Sequence, residues 1–272
     1  MPNNFIEMSA TIYRYKRKKT LHIDYQILFE ELRDLCFPTF KYKQGNCHNI
    51  IHFCSMILSM RGIVHKKIWF YSPARLNKDS KVCISKPDPN NLANSSNLRW
   101  GYHVALLFED CKNCIIFDWM INENKPMSIN DWVMSMGLSN YKIDIVDSNN
   151  YLFFSPSKEN KMNVLGGLQY FQYEGDCKKN HWIPKGLALN ETAVEFSKNE
   201  EEILKNDCLL SKDYKTLVGS IINFECVIRD YDLNKKVTST FQAKHFELIE
   251  KYRNIYSLKL NKWVSQLELL DF

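Results

Sequence analysis

The chain has 272 residues, 45% of them apolar and 25% charged, enough for a substantial core in one large domain or two smaller ones. Its net charge of +5, from 36 basic and 31 acidic residues, is a mild excess and argues against the concentrated basic field of a nucleic-acid binder. No apolar run approaches the length needed to cross a bilayer, so no membrane span is expected.

In chain order, residues 1–10 lack the apolar core of a cleaved signal peptide, and their charges follow rather than precede. A cytoplasmic protein, or one secreted without a cleaved signal, is expected. The most basic run, Tyr13-Arg14-Tyr15-Lys16-Arg17-Lys18-Lys19, reads as a solvated face. From residue 23 to 37, Leu28, Leu32 and Leu35 share a helical face and Pro38 follows the stop. A second helix starts near Cys47, keeps helical spacing through Ile50, Ile51, Cys54, Ile57 and Leu58, and meets Gly62 as its C-terminal cap.

Residues 67–71 then read as a strand. Residues 79–97, with Pro87, Pro89 and an Asn-rich stretch, read as a long surface loop at the rim of a site. Residues 102–108 and 114–118 form a predicted antiparallel hairpin, and 141–146 and 151–154 two further strands of the same sheet. Beyond residue 156 the pattern weakens. A strand with a bulge is expected over 165–170, a helix with an acidic start over 195–210, and one long last helix whose face runs through Phe241, His245, Phe246, Ile249, Tyr252 and Ile255.

Nine cysteines, an odd number in a large chain, argue for reduced and mostly buried thiols rather than a disulfide scaffold. Cys111 and Cys114 have Cys-x-x-Cys spacing, but with no second pair at ligand spacing they read as part of the hairpin turn. Gly166-Gly167 lacks the lysine or third glycine of a phosphate-cradling loop. No cofactor and no metal are expected.

Cys47, His103 and Asp118 carry the chemistry. A cysteine is nucleophilic as thiolate, and the first turn of a helix offers the positive end of the dipole and free backbone N–H groups. Those N–H groups can also hold the oxyanion formed when a carbonyl is attacked. A histidine from the adjoining sheet can pair with the thiolate and protonate a leaving group, and an aspartate one strand over can fix its tautomer. His52, a turn and a half beyond Cys47, reads as a packing residue. His48 stands beside the thiol, and both an electrostatic and an exposed surface role are open to it.

These segments resemble the protein-glutaminase (protein glutamine deamidase) family over roughly residues 40 to 120. Cys47 with His52 matches the nucleophile motif, Trp100-Gly101-Tyr102-His103-Val104-Ala105 the histidine strand, and Ile115-Ile116-Phe117-Asp118 the strand that ends in aspartate. Trp119 stands where that family often has proline, and His48-Asn49-Ile50 differs from its residues after the nucleophile.

The resemblance implies an α+β fold with a papain-like or transglutaminase-like core, the nucleophile helix packed on an antiparallel sheet, and a mixed C-terminal extension. Residues 1–160 would be the catalytic domain and 161–272 an accessory region for target recognition. The implied activity is hydrolysis of a glutamine side-chain amide in a protein partner, as in a bacterial effector or toxin. A transglutaminase or cysteine peptidase on the same core, and a non-catalytic protein-binding module, are the alternatives.

Overall fold

The computed structural model describes residues 23–90, 92, 97–110, 113–154, 168–172, 182–206, 208–230 and 235–270. The basic run at 13–19, Cys111, Cys177 and the Gly166-Gly167 pair lie outside them.

Strand β1 (Lys66–Tyr71) is buried almost throughout, because both of its faces are covered. Trp69 and Tyr71 enter one core, while Ile68 and Phe70 enter a second. β1 is the pivot of a five-stranded antiparallel sheet. It pairs on one side with β4 (Tyr102–Asp110), setting Phe70 opposite His103, and on the other with β7 (Lys142–Asp147). β4 continues into β5 (Asn113–Phe117), and β5 into the two-residue β6 (Met127–Ser128), giving the order β6-β5-β4-β1-β7.

The larger core lies between the sheet and the helices. Helix α1 (Tyr25–Cys36), capped by the Asp24 carboxylate on the amides of Gln26 and Ile27, packs Leu28, Phe29 and Leu32 inward. A short 3-10 turn (Thr39–Lys41) leads to helix α2 (Cys47–Met60), which ends at Gly62 with φ +70, a value that favours glycine. Cys36 and Cys54 bring their sulfurs to 3.1 Å where α1 meets α2. The seven cysteines among the described residues are free thiols, and Cys36, Cys47, Cys54 and Cys226 are buried. No helix among the described residues is long and apolar enough to cross a membrane.

The second core covers the opposite face of the sheet. After the short α3 (Pro73–Leu76), the expected loop over 79–97 contains β2 (Ile84–Pro87), which pairs with β3 (Asn97–Trp100). The hairpin forms because Ile84, Leu98 and Trp100 alternate inward, burying the second face with Trp132 of α4 (Ile129–Ser135). A further correction concerns residues 151–154. β8 (Asn150–Phe154) follows β7 through a turn at Ser148 and Asn149, leaves the main sheet and pairs with β9 (Leu168–Gln172).

The described residues beyond 181 form helices. The helix expected over 195–210 is instead the end of α5 (Trp182–Asn199), then α6 (Glu201–Lys205), then the start of α7 (Leu209–Val218). The break at Glu200 is held by its carboxylate, which accepts from Tyr252 Oη at 2.7 Å and Lys251 Nζ at 3.1 Å. Helix α8 (Ile221–Arg229) follows. The single last helix expected from Phe241 onward is two, α9 (Lys235–Lys244) and α10 (Phe246–Glu268). They part at His245, whose Nε2 reaches Asp213 Oδ2 on α7 at 3.0 Å. The larger core runs without interruption from Leu28 to Leu270.

Candidate active site

Cys47 is the first residue of α2 and is 7% exposed. Asn46 before it has φ 63, a left-handed conformation that asparagine tolerates better than most residues. That turn is fixed from α5. Asn46 donates to Gly186 O at 3.3 Å and to Asn190 Oδ1 at 3.1 Å, while Asn190 donates to Thr39 O at 3.1 Å and to Gly45 O at 3.2 Å. Gly186 is required by proximity, since a Cβ there would collide with the Asn49 amide on α2.

β4 brings the histidine. Leu106 stands opposite Phe117, so Asp118, just past the end of β5, is a diagonal same-face neighbour of His103. His103 Nε2 lies 2.8 Å from Asp118 Oδ2. With that nitrogen committed, Nδ1 is left for the thiol, and the Cys47 and His103 side chains hydrogen-bond. The imidazole stacks on Trp100 at 4.6 Å and 15°, with Trp132 behind it. Trp132 Nε1 donates to Asp118 Oδ2 at 2.7 Å, and the Met120 amide donates to Oδ1 at 3.1 Å. Both oxygens of the buried carboxylate are thus satisfied, which keeps it pointed at the ring.

The electrostatics follow. Burial pushes the Cys47 thiol up, but hydrogen bonds from His103 and His48 and their charge outweigh it and bring the thiol down to about 6. Burial pulls His103 down, yet the Asp118 charge and hydrogen bond, joined by the Cys47 thiolate, raise it to about 10. Between those values the favoured state is thiolate beside imidazolium.

Of the two open roles for His48, the structure favours the electrostatic one. His48 hydrogen-bonds the Cys47 side chain and meets Tyr102 Oη at 3.2 Å. His52 is buried against Tyr151 and within reach of the Lys67 amine, whose own affinity for a proton burial lowers strongly. Trp119 is a core anchor, its Nε1 donating to Phe29 O at 3.2 Å and its ring packing on Phe29. That placement gives the departure from proline a physical reason. Trp132, Gly186 and Asn190 were not singled out in the sequence, and Trp100 only as the first residue of the histidine-strand motif, because only tertiary contacts give them a part in the site. Among the described residues no group of three or more His, Cys, Asp or Glu is arranged to hold a metal.

Residues 25–136 match the family model described as glutaminase, a segment that contains Cys47, His103 and Asp118. Over that segment the protein-glutaminase resemblance read from the motifs is borne out. Among solved structures, the NMR structure of protein-glutaminase from Chryseobacterium proteolyticum aligns with TM-score 0.41 and 16% identity, covering 62% of this chain and 85% of that one. A crystal structure of protein-glutaminase gives the same TM-score and identity over 62% and 84%. A crystal structure of pro-protein-glutaminase aligns with TM-score 0.41 and 16% identity over 69% and 68%. The curated proteins contain no match.

Proposed function

We propose that the protein is a cysteine-dependent deamidase that converts a glutamine side chain in a target protein to glutamate. The observation that carries this reading is the Cys47–His103–Asp118 chain of hydrogen bonds at the start of a helix. The match of residues 25–136 to the glutaminase family supports the choice of amide.

In this reading the Cys47 thiolate attacks the carboxamide carbon, and the carbonyl π pair moves to oxygen. The Cys47 and His48 backbone N–H groups, which precede the first hydrogen-bonded amides of α2 at Asn49 and Ile50, face that oxyanion. The His103 imidazolium gives its proton to the departing nitrogen, so ammonia leaves and an acyl-thioester remains. The neutral ring, still oriented by Asp118, then takes a proton from water. Water adds to the thioester, the carbon–sulfur bond breaks, and glutamate and the thiolate are released. Only amide and water are consumed.

Mass spectrometry of candidate proteins incubated with the enzyme tests this, a gain of about one dalton marking exchange of NH₂ for OH through the thioester. Amine adducts in place of that gain would make the protein a transglutaminase, and peptide fragments a peptidase. Unaltered biological effect in a folded Cys47→Ala variant would make it a binding module.

A further inference from the structure

A cavity of about 740 Å³ opens between the segment that leads to the nucleophile and the C-terminal helices. Cys47, His103 and Asp118 do not line it. Five lysines and two glutamates do. Lys41 is paired with Glu123, and Lys205 with Glu201, so four of those charges cancel. Lys43, Lys198 and Lys215 have no carboxylate at ion-pair distance among the described residues, leaving three cations around one concavity. Val194 and Leu204 give it an apolar floor, so a bound chain would also bury carbon.

The cavity is wired to the site. Lys43 is four residues before Cys47, and its carbonyl accepts from Trp100 Nε1 at 2.9 Å. The same Trp100 ring stacks on His103. A polypeptide lying in the cavity along residues 42–43 would therefore run toward the nucleophile. The other cations come from α5 and α7, so the C-terminal helices and the loop before Cys47 build one surface.

From this charge complementarity we infer that the cavity docks an acidic segment of the protein substrate and holds its glutamine within reach of Cys47. The inference rests on the deamidase reading for what the segment belongs to. Docking itself needs no catalysis, and the test uses that.

The probe is a fluorescein-labelled twelve-residue peptide of alternating Gly and Glu with one central Gln, set against the same peptide with Gln at every Glu. Anisotropy is read on folded Cys47→Ala protein and on Cys47→Ala carrying Lys198→Glu and Lys215→Glu. The acidic peptide binds, the neutral one binds at least about tenfold more weakly, and the charge reversals and 0.5 M salt each abolish the difference. Equal binding of the two peptides, no loss on charge reversal, or displacement by an equal concentration of inorganic phosphate would overturn the inference. Lys198→Gln with Lys215→Gln gives an intermediate loss and covers the event that the reversed variant misfolds. In the Cys47-containing protein, the reversals lower kcat/KM for the acidic peptide and leave a blocked glutamine dipeptide unchanged. Binding without any deamidation would sink the proposed function and leave the docking site standing.

Discussion

Replacing Asp118 by Asn changes one charge at nearly constant volume. His103 is held from 6.5 up to about 10 against burial that pulls it down. At 1.36 kcal/mol per unit, that rise corresponds to about 5 kcal/mol in favour of the charged ring, with Asp118 first among the groups that raise it. Once the carboxylate becomes a neutral amide, the burial of the ring prevails and the imidazole is neutral at pH 7. The Cys47 thiol then loses its main cation, and its own burial drives it back toward the ordinary value of 9. A thiol at about 6 is about nine-tenths thiolate at pH 7, whereas one at 9 is about one-hundredth thiolate.

The thiolate fraction at pH 7, read from the pH profile of iodoacetamide alkylation, therefore falls about 10- to 100-fold in Asp118→Asn as the midpoint of that profile moves up by about 2 to 3 units. Deamidation falls by at least the same factor, because the ring also loses its orienting partner. The amide oxygen of the introduced asparagine can still accept from Trp132 Nε1, so circular dichroism should report an intact fold. An alkylation midpoint that stays near 6, or a rate at pH 7 within threefold of the parent, would show that Asp118 does not control the pair.

Asn190→Ala removes two donors to the Thr39 and Gly45 carbonyls and the acceptor for Asn46, all of them at buried or half-buried positions. Stability should fall by about 3 kcal/mol in urea titration, and activity should fall with it as the left-handed turn before Cys47 relaxes. Stability should also depend on pH through Cys47, whose folded value of about 6 lies below the ordinary 9. The thiolate's contribution is full above pH 9 and vanishes as pH falls through 6. The stability of the parent minus that of Cys47→Ser should accordingly grow between pH 6 and pH 9, and a flat difference in thermal melts would contradict a pre-formed thiolate.

Local signals made much of the site legible. Cys47 begins a helix because apolar spacing starts there and ends at Gly62, and both boundaries are seen in α2. The hairpin of β4 and β5 follows from two apolar runs joined by a short polar link, and its register carries Asp118 to His103. What stayed hidden depends on residues far apart in the chain. Trp132 looks like an ordinary helix aromatic until its indole N–H meets Asp118. α5 carries Pro184, Gly186, Asn190 and Thr192 at buried positions, so its burial does not follow an apolar stripe, and only its last turns looked helical. β2 and β3 were masked by prolines and an Asn-rich tract, although Leu98 and Trp100 alternate as strand residues do. The parting of α9 and α10 at His245 depends on Asp213, 32 positions earlier.

The anchor between Gly45 and Asn190 spans 145 positions. A ribosome reading from the N-terminus delivers Cys47, His103 and Asp118 long before it delivers the asparagine that fixes the turn ahead of the thiol. Domains fold as the chain emerges, so a nascent polypeptide of about 160 residues would carry the turn ahead of Cys47 without the side chain that ties it to Gly45 and Asn46. The turn ahead of Cys47 gains these bonds only once residue 190 has been made.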